Sequence, residues 1–230
     1  MRRASLAICT SLIVSCASTD VGNPIDTEIS FAAYEGSASD PQALTLDNGV
    51  VLERALIKVR GFQLDRSENC DDTTSSFDQV VTVDLISGLR SDVPFWDDEA
   101  GTFCRLRIQF SNEAVGGEPD ELGGASMYIE GSVDGNAFTL RLEETPAMSL
   151  AGPFSLPKGS HLLQVGFFPN EWFRGQMLDS LLSEDSEAGQ ADVKQEFWDN
   201  VLGSARLYHD SNEDGVLDVI ELSTSLAEGE

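Results

Sequence analysis

The chain has 230 residues, 41% of them hydrophobic, and sets 40 acidic against 14 basic side chains for a net charge of −26 at pH 7. A charge of that sign repels phosphate backbones and excludes nucleic acid as a partner. It suits solubility and cation binding, and the length serves one medium domain, with or without a small appendage.

Met1 to Ser15 join a basic start, Arg2 and Arg3, to the apolar runs Leu6 to Cys9 and Leu12 to Val14. That is the layout of an export signal, which is cleaved or tethered and does not fold with the rest. The apolar stretch is shorter than the roughly 20 residues that cross a bilayer, and no later segment comes closer, so the mature chain is expected to have no integral membrane helix. The signal closes on Ile13-Val14-Ser15-Cys16, which resembles the lipobox of bacterial lipoproteins. The resemblance implies that Cys16 becomes the lipidated N-terminus and that the membrane is a partner. Two or three acyl chains, each worth about 0.8 kcal/mol per buried methylene, hold a domain stably where one would not. An ordinary secretory signal with an incidental cysteine is the alternative. Ala17 and Ser18 follow Cys16 where inner-membrane retention often uses an Asp, which points to the outer membrane, on its periplasmic or surface face. Residues 16–27, with Gly22-Asn23-Pro24, lack apolar periodicity and read as a tether.

From Glu28 to Phe168 the apolar residues recur with a period near two, the signature of strands. Ile29, Phe31 and Ala33 alternate with polar neighbours. Leu44 and Leu46 meet Asp47-Asn48-Gly49 and return as Val50 to Leu52, the Asn-Gly step offering the positive φ of a tight hairpin. Ala55, Ile57 and Val59 share one side of the next strand, with Lys58 and Arg60 on the other. Val81, Val83 and Leu85 follow, and then Cys104, Leu106, Ile108 and Phe110 against Arg105, Arg107 and Gln109. Met127, Ile129 and Gly131 turn through Asp134-Gly135-Asn136 into Phe138, Leu140 and Leu142, and a last strand runs from His161 to Phe168. Seven or eight short strands with one polar face each predict an antiparallel β-sandwich over 28–168. The connectors Ser87 to Ala100 and Ser111 to Gly124 are long and acidic, either variable surface or a place for a binding surface.

Cys9 lies in the signal and Cys16 in the lipobox, which leaves Cys70 and Cys104, 34 positions apart. In an oxidising envelope such a pair is most simply a disulfide. A metal site or two buried thiols are the competing readings.

After Pro169 the period becomes helical, so 169–230 is expected to be a helical region and the fold class mainly β, α+β. Trp172, Met177, Leu178, Leu181 and Leu182 make one short apolar face. Asp192 can cap a second helix carrying Val193, Phe197, Val201, Leu202, Ala205 and Tyr208. The stretch Asp210 to Glu221 then matches D-x-[DN]-x-[DN]-G-x5-E at every fixed position. Calcium wants six to eight oxygens at about 2.3 to 2.6 Å. Asp210, Asn212 and Asp214 would each supply a side-chain oxygen and Val216 a carbonyl. Asp218 would act directly or through water, Glu221 would clamp with both oxygens, and Gly215 would permit the sharp turn. The segment resembles an EF-hand, or the related calcium loops of secreted bacterial proteins. It departs from a paired EF-hand in having no second loop and a short outgoing helix, so a structural Ca2+ is expected, not a sensor.

The order of lipobox, Gly-Asn-Pro, β-rich middle with two cysteines and helical end with an acidic loop resembles a group of uncharacterised Gram-negative lipoproteins. That resemblance implies a fold type and no known activity. Catalytic signals are thin. His161 and His209 stand outside any H-E-x-x-H, and G-x-S-x-G is absent. The expected function is a non-catalytic, calcium-binding, lipid-anchored envelope lipoprotein. A carbohydrate- or peptide-binding surface adhesin is the alternative, favoured if Phe95 and Trp96 stand exposed together. A hydrolase using carboxylate pairs such as Asp97 and Asp98, or Glu143 and Glu144, comes last.

Overall fold

A computed structural model describes residues 24–34, 43–66, 70, 73–87, 95–114, 122–175, 177–183 and 187–229. The export signal, Cys16 and all of the expected tether except residues 24–27 lie outside the described residues. Ten strands come first: β1 (Pro24–Ala33), β2 (Leu44–Thr45), β3 (Val50–Arg66), β4 (Thr73–Asp84), β5 (Phe95–Glu99), β6 (Gly101–Phe110), β7 (Met127–Val133), β8 (Asn136–Leu142), β9 (Ala147–Leu156) and β10 (Gly159–Phe167). Helices α1 (Pro169–Trp172), α2 (Met177–Ser183) and α3 (Glu187–Ser204) follow, then β11 (Arg206–Asp210), α4 (Val219–Leu222) and β12 (Ala227–Gly229).

The chain is mainly β, and its strands join one curled open sheet in the order β5-β1-β10-β11-β12-β9-β6-β3-β7-β8, with β2 and β4 also on β3. β3 organises this sheet. Its first half pairs with β7 (Val50 to Ile57) and its second half with β6 (Val59 to Arg66), while β4 runs along its other side. Leu52, Ile57, Val59, Phe62 and Leu64 of β3 face a core shared with Leu106 and Ile108 of β6 and Ile129 of β7. The hairpin at Asp134-Gly135 forms as its sequence predicts, with both residues at positive φ, 49° and 77°, which matches the right-handed twist of its strands. At Asp47-Asn48-Gly49 only Gly49 has positive φ. Leu46 N–H donates to Val50 O, so the turn spans three residues instead of two. Its Asn48 side chain instead bonds Phe173 O, tying the turn to α1.

Three expectations about the C-terminal region change. α3 begins at Glu187, so Asp192 lies inside the helix and does not cap it. Tyr208 belongs to β11, not to a helical stripe. And β11 with β12 enters the sheet between β10 and β9, so the final segment supplies two internal strands. Helices and sheet meet through aromatic side chains: Trp198 lies edge-on to Phe110 at 4.9 Å, and Trp172 packs on Phe167 and Phe197. The Trp172 indole donates to the buried Ser204 hydroxyl at 2.9 Å, so its polar end is satisfied.

Among the described residues no helix is long and apolar enough to cross a membrane.

Candidate functional site

The acidic loop runs from the end of β11 to the start of α4. The incoming element is therefore a strand and not the helix expected from the stripe ending at Tyr208. The reason is pairing: Leu207, Tyr208 and His209 lie in antiparallel register with Val165, Gln164 and Leu163 of β10, and this ladder takes the backbone bonds a helix would need.

Asp210 is fully buried at 0% exposure. Its Oδ2 accepts from Gly215 N–H at 2.7 Å, while its Oδ1 is buried with no hydrogen-bond donor among the described residues. Asn212 Oδ1 accepts from Asp214 N–H, and Asp214 Oδ1 from Val216 N–H, at 3.0 and 2.8 Å. Gly215 sits at φ 83°, the left-handed region that glycine reaches without strain. At the far end Asp218 caps α4, accepting from Ile220 and Glu221 N–H, while Glu221 Oε2 accepts from Asp218 N–H. This reciprocal capping box satisfies donors that a helix start leaves orphaned. Glu221 Oε1 accepts from both the amide and the hydroxyl of Ser211, each at 2.7 Å, so this carboxylate closes the loop on itself.

The loop lies over the sheet. Leu217 is buried against Ala32, Tyr34 and Tyr208. Its N–H donates to the Tyr34 hydroxyl at 3.3 Å, and Gln164 of β10 reaches Gly215 O. Gly166 makes this seat possible, because a Cβ there would press on the rings of both Tyr34 and Tyr208.

Burial opposes the charge on Glu221, yet the donors from Asp218 and Ser211 prevail and hold its carboxyl below the ordinary range. Burial pushes the Tyr34 phenol up to about 12, against the Leu217 bond and with help from Asp210, Glu221 and Asp214. A carboxyl lowered in the fold stabilises the protein above its unfolded value, near 4.5, and that contribution is lost as pH falls through the folded value. In chelator-treated protein, Glu221→Gln should therefore flatten the acid limb of a stability-against-pH curve below about pH 4.5. An acid limb identical to that of the parent would remove Glu221 from this role.

The pattern residues are thus gathered in one loop, but their oxygens are held chiefly by the loop's own N–H groups. Among the described residues no three His, Cys, Asp or Glu side chains converge as a ligand set. Protein-family models, curated proteins and solved structures were all compared with the chain, and none matches. The residues themselves carry the rest of the case.

Cys70 and Cys104 are joined as a disulfide with a Cα–Cα distance of 5.9 Å, inside the normal range for such bridges. No local pattern marks a histidine pair. His161 Nδ1 and His209 Nε2, 48 positions apart, are 3.1 Å from each other, and His161 Nε2 meets Pro157 O. A carbonyl only accepts, so His161 carries a proton on Nε2, and in the neutral pair its Nδ1 takes the His209 N–H. Burial first, then the neighbouring His161, pushes the His209 pKa down. Their adjacency comes from the β10–β11 register, which a local pattern does not reveal. Asp98 lies on β5, within the stretch expected as a connector, and pairs with Arg66 at 3.4 Å; Glu143 and Glu144 are exposed. The side chains of Phe95, Trp96 and Asp97 lie outside the described residues.

Proposed function

We propose that the chain is an exported, lipid-anchored, non-catalytic envelope protein whose C-terminal loop holds one structural Ca2+. Asp210, Asn212, Asp214, the Val216 carbonyl, Asp218 and Glu221 would supply its oxygens, and Cys16 the anchor. The observation that carries the calcium reading is the buried Asp210 Oδ1, a carboxylate oxygen without a donor among the described residues, at the first position of a twelve-residue acidic pattern. A buried carboxylate without a counter-charge is costly, and a cation at that oxygen removes the cost. The anchor rests on the lipobox resemblance alone. A sandwich-like arrangement of the two halves of the curled sheet is supported by the way β3 changes partner from β7 to β6 along its length.

The ion would clip the end of β11 to α4 over Tyr34 and Tyr208. An exported site meets abundant calcium, so an affinity of order 10⁻⁴ M suffices. At a hundredfold excess over that value, calcium should stabilise the protein by about 2.7 kcal/mol, raising Tm by roughly 5 to 10 °C. Isothermal titration should show one site, and Glu221→Gln should abolish both heat and thermal shift. Absence of heat and of thermal shift in the parent protein at millimolar calcium would end this reading.

A further inference from the structure

The histidine pair lies outside the acidic loop, although His209 adjoins Asp210 in sequence. Side chains alternate along β11, so His209 turns with Leu207 toward the main core, while Asp210 turns with Tyr208 toward the loop. On β10, His161 shares the face of Leu163 and Val165. Because Leu163 stands opposite His209, the two imidazoles meet diagonally across neighbouring strands, their ring centres 5.3 Å apart and their planes inclined by 55°. His161 is buried and His209 half-buried, so the pair sits at the margin of the core with one ring reachable from solvent.

Two nitrogens face each other here, His161 Nδ1 and His209 Nε2, at 3.1 Å. Zinc–imidazole bonds of about 2.0 to 2.1 Å at tetrahedral angles set two nitrogens about 3.3 to 3.4 Å apart, so the rings need part by only about 0.2 to 0.3 Å to admit the ion. The outer nitrogen of His161 donates to Pro157 O, which fixes the tautomer and leaves the Nδ1 lone pair facing His209. Metal-bound imidazoles ordinarily have such an anchor on their second nitrogen. His209 moves its proton from Nε2 to Nδ1 as the ion enters, so two neutral imidazoles bind and no proton is released. The charges of Asp210, Glu221 and Glu213 act on the His209 ring, and their sign favours a dication there. Thr27 stands in register with His161 on β1. It is fully buried, and its hydroxyl has no hydrogen-bond partner among the described residues; a water on the ion would supply one.

We infer that His161 and His209 form a two-histidine clamp for a transition-metal dication, Zn2+ foremost, bound through His161 Nδ1 and His209 Nε2. Imidazole nitrogen suits zinc, whereas calcium takes oxygen, so the clamp and the acidic loop select different ions. Among the described residues no third His, Cys, Asp or Glu joins the pair, and water would complete the shell. Two protein ligands, where a structural zinc site has four, place the dissociation constant on the order of 10⁻⁵ M.

Zinc titrated into the chelator-treated, dialysed protein in millimolar calcium should bind at one site, and further calcium should not displace it. His209→Gln and His161→Gln should each weaken zinc binding by about tenfold or more, since one ligand of a chelating pair is lost. Glu221→Gln, which alters the acidic loop alone, should leave zinc affinity at the parental value. His209 is half-buried, so its variant should stay folded. NMR of the imidazole nitrogens in the parent checks the same assignment without any substitution: zinc should move the resonances of His161 Nδ1 and His209 Nε2. No binding at about 0.1 mM zinc, tenfold above the expected constant, would overturn the clamp. So would displacement of zinc by millimolar calcium, parental affinity in a folded histidine variant, or zinc-induced changes confined to other nitrogens.

Discussion

Replacing Asp65 with Ala should lower stability by about 3 to 5 kcal/mol, the usual consequence of breaking a buried ion pair. The Asp65 side chain is 0% exposed and holds two arginines of β6, Arg105 Nε on Oδ2 at 2.8 Å and Arg107 Nη2 on Oδ1 at 2.7 Å. Removing it leaves two guanidinium groups, one only 28% exposed, facing each other without an anion between them. In a chain of this length the loss corresponds to a fall in Tm of roughly 6 to 20 °C. Thermal unfolding followed by circular dichroism measures it, and a fall under about 2 °C would show that the two arginines find other partners. Asp65→Asn keeps the shape and removes the charge, so it should recover only part of the loss.

Opening the Cys70–Cys104 bridge should have an effect of similar size. It closes a loop of 34 residues, for which chain entropy gives about 3 to 4 kcal/mol. Urea unfolding of the Cys70→Ser, Cys104→Ser double variant should show a lower midpoint than the parent, and parental protein in reductant should follow the variant. Equal midpoints would mean that the folded state gains nothing from the crosslink. The two predictions are coupled, because Arg105 also donates through Nη2 to Cys70 O at 2.8 Å. Asp65 and the disulfide therefore anchor the same stretch of backbone from two sides, and the combined variant should lose less than the sum of the separate losses.

How much of this was legible beforehand follows from the range of the interactions. Alternation along β3 and β6, the positive φ at Asp134 and Gly135, and the aromatic faces of the helices are properties of a few neighbouring residues, so their sequence patterns were readable. The acidic loop was readable for the same reason: its hydrogen bonds join residues within Asp210 to Glu221. The role of Asp218 and Glu221 as a capping box was also written in the local D-x-x-E spacing, although the calcium pattern drew attention to different chemistry for the same side chains. The helix expected before the loop was misplaced because Leu207 and Tyr208 read equally well as a helical stripe or as a strand, and only the vacant edge of β10 decides between them.

The sequence by itself determined the local elements, the acidity and the acidic loop, since each depends on side chains close in the chain. Only the tertiary structure decided that β1 runs parallel to β10 and that β11 and β12 enter between β10 and β9. The same is true of the burial of Asp65 between two arginines. Those features arise from backbone pairing and burial between segments distant in sequence, and no local periodicity encodes which strand edges will meet.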